Sequence, residues 1–176
     1  PHVRGVRKVL SELSDRWIHG DEPTVNIVDF RPLLVELKSK VDGPYWQVVL
    51  KRLMMRSAEL IAGQKNYPVL VTGEAVGQVS SQTLPNLAAI EAAVDIPIWR
   101  PLIGFNKEEI IARARQTGLH EVTEGIPEFC ALQGGKPVTN TTPGRLDGQE
   151  SRLNLELIEA LTDDRRIEDV RSLDEA

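Results

Sequence analysis

The chain has 176 residues, of which 41% are hydrophobic and 27% are charged, a balance typical of a water-soluble domain with a sizeable core. Its net charge is −5, so it lacks the strong basic excess of a free-standing nucleic-acid-binding protein. Its apolar stretches fall short of the roughly 20 residues that span a membrane, and no membrane association is expected. The single cysteine excludes an internal disulfide, so we expect a reducing, cytoplasmic compartment.

The first part of the chain alternates between helical and strand patterns. Residues 2–18 carry apolar side chains at helical spacing, and residues 24–30 alternate in the manner of a β-strand. Pro32 is placed in the first turn of a short helix over residues 32–41. A long helix is then predicted from Tyr45 to Ala62.

The same alternation continues through the middle of the chain. Strands are predicted over residues 67–73 and 96–102, and helices over residues 81–94 and 106–118 follow them. Strands that alternate with helices are typical of βαβ units and a parallel sheet. The sequence therefore predicts an α/β fold in a single domain, 1–176.

A loop-like segment rich in Gly, Pro and Thr covers residues 125–148, before a last predicted helix near residues 151–161. This segment contains the only cysteine, Cys130, in the stretch "GIPEFCALQGGKPVT". Its surroundings are compatible with an exposed, reactive thiol, although most lone cysteines are buried and inert. The three histidines are scattered and no CxxC is present, so no metal-ligand spacing is found.

The stretch "VTGEAVGQVSSQT", residues 71–83, follows a short apolar run and is rich in small and amide residues. In open α/β sheets, ligands bind outside the carboxyl ends of the strands. Gly73 would let a ligand approach the backbone there, or would simply form a turn in an ordinary loop. Both interpretations remain open from these residues alone.

Three basic positions raise a similar choice. Lys51 and Arg52 lie in the long helix, where a solvated basic face is the better interpretation of their spacing. Lys107 begins a predicted helix, at the end where the helix dipole favours anions. A lysine there would suit a phosphate site in which helix amides and an ammonium act together, or it is a plain surface lysine.

Four stretches, in this order, resemble the catalytic domain of the tRNA 4-thiouridine synthase family: "LKRLMMR", "LVTGEAVGQVSSQTLPNLAAI", "RPLIGFNKEEII" and "GIPEFCALQGGKPVT". The resemblance implies an adenine-nucleotide α-hydrolase fold of the PP-loop ATPase type. It also implies a reaction in which ATP, with Mg, activates the C4 oxygen of uridine 8 of tRNA before persulfide sulfur replaces that oxygen. In some organisms the family also serves thiazole synthesis for thiamine.

The resemblance further implies which residues act. The family's nucleotide contacts fall on Lys51, Gly73 and Gln82, its required lysine falls on Lys107, and its thiol beside the chemistry falls on Cys130. Expected partners are tRNA, a cysteine desulfurase or another persulfide donor, and a second copy of the chain in a homodimer.

One family feature has no match in this sequence. The family binds pyrophosphate with an SGGxDS loop after its first strand, and the "QGGKP" of residues 133–137 lies near the wrong end to serve. We therefore expect a part of the catalytic domain that lacks the first strand–loop–helix unit and does not complete adenylation alone. No RNA-binding or rhodanese domain is recognised, and one cysteine is too few to hold an iron–sulfur cluster.

Two alternatives remain. A relative of the same fold would adenylate a different substrate, such as another nucleoside or the C-terminus of a sulfur-carrier protein. A non-catalytic nucleotide-binding module would have lost the phosphate loop altogether.

Overall fold

A computed structural model of the chain describes residues 2–19, 23–124, 126, 132 and 134–175. The α-helices within these residues are α1 His2–Trp17, α2 Arg31–Lys40, α3 Trp46–Lys65, α4 Leu84–Glu91, α5 Lys107–Gln116, α6 His120–Glu124, α7 Pro143–Glu150 and α8 Glu156–Asp163. The strands are β1 Thr24–Ile27, β2 Leu70–Val71, β3 Ile98–Trp99 and β4 Arg166–Asp169, and short 3-10 helices cover Gly43–Tyr45 and Val170–Glu175.

The described residues form two compact units. One, the terminal unit, draws on residues 1–28, 107–131 and 165–176, and the other, the middle unit, draws on residues 29–106 and 132–164. The terminal unit holds α1, α5, α6 and the antiparallel pair of β1 with β4. The middle unit holds α2, α3, α4, α7, α8 and the parallel pair of β2 with β3.

In the terminal unit, β1 and β4 pair over four residues, from Thr24 opposite Asp169 to Ile27 opposite Arg166. The Arg165 guanidinium supports this pair, since its Nε donates to the Asn26 side-chain oxygen at 2.8 Å. Helix α1 packs against the 3-10 helix that follows β4 and against α6. The strand β4 therefore ties the end of the chain to its beginning.

The middle unit is organised around helix α3, which is packed by α2, α4, α7 and α8. Its core consists of buried aliphatic side chains from all five helices and the segments beside them: Leu33, Leu37, Val41, Val48, Val49, Leu53, Ala89, Ile90, Leu146, Leu153 and Ile158. Burial of a Leu, Ile or Val side chain stabilises the fold by roughly 1.5–3 kcal/mol, so this core is the main support of α3.

Charged side chains join three of these helices inside the middle unit. The Arg52 side chain is 1% exposed; its Nε donates to Glu150 Oε1 at 2.7 Å and its Nη2 to Asp147 Oδ1 at 2.6 Å. Arg52 Nη1 also donates to the Ala89 carbonyl at 2.9 Å, and Arg56 Nη2 donates to Glu150 Oε2 at 3.0 Å. We call Arg52, Arg56, Asp147 and Glu150 the interior cluster, and it fixes α3 against α4 and α7.

The interior cluster corrects one expectation from the sequence. Arg52 does not lie on a solvated basic face, because its guanidinium is enclosed by acceptors from α4 and α7. In the same helix, the apolar side chains of Met54 and Leu60 are 52% and 36% exposed. A pattern of residue types along one helix does not reveal which acceptors the rest of the chain places against it.

The predicted order of elements is confirmed through the middle of the chain, with differences at the boundaries. The strands predicted over residues 67–73 and 96–102 are only two residues long, and they pair in parallel as expected. The strand predicted over residues 24–30 is β1, which pairs with β4 in an antiparallel manner rather than joining a parallel sheet. The four described strands therefore do not form one parallel sheet.

The last third differs most from the expectation. Residues 143–148 were placed in the loop-like segment and form most of α7, because Pro143 occupies the first turn of a helix, where proline is favoured. The last helix begins at Glu156 instead of near Ser151. Strand β4 has the sequence RIED and is mostly exposed, so it lacks the apolar alternation that would have predicted it.

None of the helices among the described residues is both long and apolar enough to cross a membrane.

Candidate functional site

The carboxyl ends of β2 and β3 lie side by side in the middle unit. Val71 is opposite Trp99 in the parallel register, and the Thr72 amide donates to the Trp99 carbonyl at 2.9 Å. The chain then leaves β2 through Gly73 and leaves β3 through Arg100. Residues that follow these two strands are thus brought to the edge of the sheet where ligands bind in open α/β folds.

The Glu74 carboxylate pairs with two basic side chains at this edge of the sheet. Glu74, whose side chain is 8% exposed, accepts at Oε1 from the Lys51 ammonium at 2.7 Å. Its Oε2 accepts from Arg100 Nε at 3.0 Å and from the Thr72 hydroxyl at 3.3 Å. Arg100 in turn donates through Nη1 to Glu91 Oε2 at 2.5 Å. We call Lys51, Glu74, Glu91 and Arg100 the strand-end cluster; it links α3, α4 and the ends of both strands.

The environment sets the charge state of this cluster. Burial acts to raise the pKa of Glu74, but the hydrogen bond and charge of Lys51, followed by those of Arg100, outweigh it and hold the pKa below its ordinary value. Burial likewise acts to lower the pKa of Arg100, and the hydrogen bonds to Glu91 and Glu74 more than offset it. Glu74 is therefore a fixed anion at neutral pH and not a proton donor.

The loop after β2 is shaped by two glycines of different character. Gly77 has a φ of +79°, a left-handed conformation that side chains rarely adopt, and its amide donates to the Gln82 carbonyl at 2.9 Å. Gly73 has ordinary backbone geometry and is exposed, and a Cβ built on it would meet no described heavy atom within 4 Å. Packing therefore does not require a glycine at position 73. The open space beside this residue leaves room for a ligand against the backbone.

Gln82 lies at the other end of this loop, and its neighbours are firmly held. Its Oε1 is buried and has no hydrogen-bond partner among the described residues. The Asn86 side chain, fully buried at the start of α4, donates to the Ser80 carbonyl at 3.0 Å and to the Val138 carbonyl at 2.9 Å. Thr83 caps the same helix. These hydrogen bonds hold the part of the chain next to Gln82 in place.

The predicted site residues are not all found in one unit. Lys51, Gly73 and Gln82 all belong to the middle unit, with Lys51 and Gly73 beside Glu74 at the strand ends. Lys107 is exposed at the first residue of α5, in the terminal unit. Cys130, like its neighbours Pro127 and Glu128, lies outside the described residues. The roles assigned to all five residues stay predictions.

No group of three or more His, Cys, Asp or Glu side chains that would hold a metal ion occurs within the described ranges. The strand-end cluster contains two carboxylates, but Lys51 and Arg100 already occupy both oxygens of Glu74 and one oxygen of Glu91. These residues do not fit a Mg²⁺ ion, which requires free oxygen ligands.

Glu74 had no predicted role, although the sequence contained a signal. Glu74 is the one charged residue in the stretch from Val71 to Thr83, and it comes directly after a strand end. A lone carboxylate at such a place needs a cation near it if it is to be buried. Lys51, already noted from the sequence, and Arg100 are the cations that meet it.

Comparisons with known proteins give a consistent result. The family model described as thiamine biosynthesis protein (ThiI) matches residues 1–155. A tRNA sulfurtransferase of Vibrio campbellii is 37% identical over 172 residues, which are 98% of this chain and 36% of that protein. A tRNA sulfurtransferase of Desulfurococcus amylolyticus is 41% identical over 166 residues, which are 93% of this chain and 34% of that protein. The chain spans about a third of the length of these curated relatives.

Among solved structures, the crystal structure of a 4-thiouridine synthetase–RNA complex with bound ATP is similar to this chain with a TM-score of 0.87. The sequence identity is 33%, and the match covers 94% of this chain and 44% of the other. The middle and terminal units together thus account for less than half of that protein.

Proposed function

Because the chain belongs to the ThiI family, we propose that the protein containing it is an ATP-dependent tRNA sulfurtransferase that makes 4-thiouridine. The observation that carries the proposal is the similarity, over 94% of the chain, to a 4-thiouridine synthetase whose structure contains RNA and ATP. The strand-end cluster supports it, since a partly exposed ammonium and an open glycine lie together where α/β folds bind nucleotides.

In this proposal the middle unit binds the nucleotide through Lys51, Gly73 and Gln82. The ammonium of Lys51 stabilises charge on phosphate oxygens, and the Gly73 backbone lies against the nucleotide. The side-chain amide of Gln82, whose oxygen is buried without a partner among the described residues, meets a polar group of the nucleotide. Such a site suits ATP without any contribution from a metal bound to these side chains.

The reaction proceeds in two displacements. The C4 oxygen of uridine 8 of tRNA bonds to the α-phosphorus of ATP, and pyrophosphate leaves. The terminal sulfur of a persulfide then bonds to C4, and AMP leaves with the original oxygen. After these two displacements, the Cys130 thiolate attacks the donor-side sulfur of the C4–S–S linkage, so the S–S bond breaks and 4-thiouridine is released. The disulfide left between Cys130 and the donor is reduced by an external thiol. Lys107 stabilises the charge that develops during the displacements.

The partners follow from the same chemistry. The substrate is tRNA, and the sulfur comes from a persulfide donor such as a cysteine desulfurase. We further propose that the protein acts in the cytoplasm as a homodimer and that in some hosts it also supplies sulfur for the thiazole of thiamine. The SGGxDS loop that the family uses for pyrophosphate has no match in these 176 residues, so this chain alone is not expected to complete the reaction.

A gene deletion in the host tests the proposal. Bulk tRNA from the deletion strain, digested to nucleosides and measured by mass spectrometry, is expected to contain no 4-thiouridine. The wild-type gene should restore it and Cys130→Ala should not. Unchanged 4-thiouridine in the deletion strain would refute the proposed activity, and restoration by Cys130→Ala would remove Cys130 from the mechanism.

A further inference from the structure

We propose that Glu74 is a positioning residue that holds the Lys51 ammonium in place for the adenine nucleotide. This inference rests on the proposed function and assigns a role to a residue that the resemblance did not single out. It concerns the carboxyl ends of β2 and β3 in the middle unit.

The Lys51 side chain needs a partner that holds it in place before a phosphate binds. A lysine has a long, flexible side chain, and its point charge carries no preferred direction of its own. Free in solvent, the ammonium would lose rotamer entropy on each binding event. The 2.7 Å bond to Glu74 Oε1 orders the side chain in advance and leaves it 23% exposed. An ammonium has three donors, so one bond to Glu74 does not prevent contact with a phosphate.

The Glu74 carboxylate is itself held in place by hydrogen bonds. Its Oε2 accepts from Arg100 at 3.0 Å and from Thr72 at 3.3 Å, and Arg100 is anchored in turn by Glu91 of α4. The carboxylate therefore has one orientation, set by the ends of both strands. A carboxylate held in this way fixes the position of the Lys51 ammonium relative to the carboxyl ends of the strands.

The strand-end cluster lies beside open space that a ligand could occupy. Glu74 follows directly after Gly73, where an added Cβ would meet no described heavy atom within 4 Å. The interior cluster offers no such space, because the Arg52 side chain is 1% exposed. The Lys51 ammonium instead remains partly exposed beside an open glycine.

The experiment measures tRNA thiolation by the protein as its host makes it, with ATP and tRNA varied separately. In Glu74→Gln the side chain keeps its size but loses the charge that orders Lys51. We expect the KM for ATP to rise roughly tenfold, because a charge-assisted hydrogen bond no longer orders the ammonium. The KM for tRNA should stay within about twofold of the wild-type value. Lys40→Met is the matched control, since it removes a 43% exposed lysine that pairs with a glutamate, Glu36, in the same unit.

A double-mutant cycle separates positioning from general support of the fold. If Glu74 acts through Lys51, the double variant Lys51→Met/Glu74→Gln will have the same KM for ATP as Lys51→Met alone. Additive effects, or a KM for ATP in Glu74→Gln within about twofold of wild type, would overturn the inference. If Glu74→Gln does not fold, Glu74→Asp decides in its place, because its shorter carboxylate cannot reach both cations and should also raise the KM for ATP. Wild-type protein that makes no 4-thiouridine would instead refute the proposed function itself.

Discussion

Adjacent residues of helix α3 enter two ion-pair clusters that differ in their surroundings. Arg52 belongs to the interior cluster, where its own side chain is 1% exposed and that of Glu150 is 3% exposed. Lys51 belongs to the strand-end cluster, where the ammonium remains partly exposed beside Gly73. The two clusters contain the same kinds of groups at similar distances.

The difference in surroundings separates a structural role from the proposed binding role. A buried arginine whose donors are directed at protein acceptors fixes α3 against α4 and α7 and has no access to a ligand. A partly exposed lysine held by a fixed carboxylate remains available to a phosphate. Proximity of charges alone would not have distinguished the two, so exposure and the neighbouring backbone carry the distinction.

The largest expected effect is at Arg52. Arg52→Met should lower the free energy of unfolding by about 3–5 kcal/mol, because Glu150 would stay buried without its principal cation. Urea unfolding followed by circular dichroism measures this loss.

Arg152→Met is the control for that measurement. Arg152 pairs with Asp42 at 3.0 Å, but both side chains are about half exposed, so the loss should be less than about 1 kcal/mol. Equal losses in the two variants would contradict the assignment of the interior cluster as a main support of α3.

A pH-dependent effect is expected at Glu74. The pKa of Glu74 in the folded chain lies below its ordinary value of 4.5, so its stabilising contribution is fully present above that value and is lost as the pH falls through the lower folded-state pKa. The difference in unfolding free energy between wild type and Glu74→Gln should therefore be largest at about pH 7 and shrink on acidification to about pH 3. A difference that is independent of pH would mean that the charge of Glu74 does not stabilise the fold.

The smallest expected effect is at Thr72. Thr72→Val removes the 3.3 Å bond to Glu74 Oε2 but leaves both cations in place. The unfolding free energy should fall by about 0.5–1.5 kcal/mol, the usual contribution of one hydrogen bond. Thermal unfolding monitored by circular dichroism would detect this, and a loss as large as that of Arg52→Met would mean that the hydroxyl, and not Arg100, orients Glu74.

The sequence predicted the elements around the site better than the site itself. The apolar run before Thr72 and the β-branched run before Arg100 indicated two strands, and these pair in parallel. The pattern also located Lys51 on a helix. It could not show that Glu74 meets Lys51 and Arg100, because these residues are 23 and 26 positions away in the chain.

The remaining differences have local causes. Strand β4 is built from charged residues, and its partner β1 is far from it in sequence, so no periodicity predicted the antiparallel pair. Helix α7 contains glycines at positions 144 and 148, which indicate a loop, and its burial against α3 and α4 overrides their low helix propensity. The roles of Lys107 and Cys130 come from the resemblance alone and stay predictions.

The most direct test compares a variant of the strand-end cluster with a variant of an exposed ion pair by the product of the reaction. A host strain that lacks the gene would be complemented with wild type, Lys51→Met or Arg152→Met, and 4-thiouridine would be measured in its tRNA by mass spectrometry. We predict that Arg152→Met restores 4-thiouridine and that Lys51→Met, made at the same protein level, does not. Full restoration by Lys51→Met would contradict the claim that the strand-end cluster binds the nucleotide.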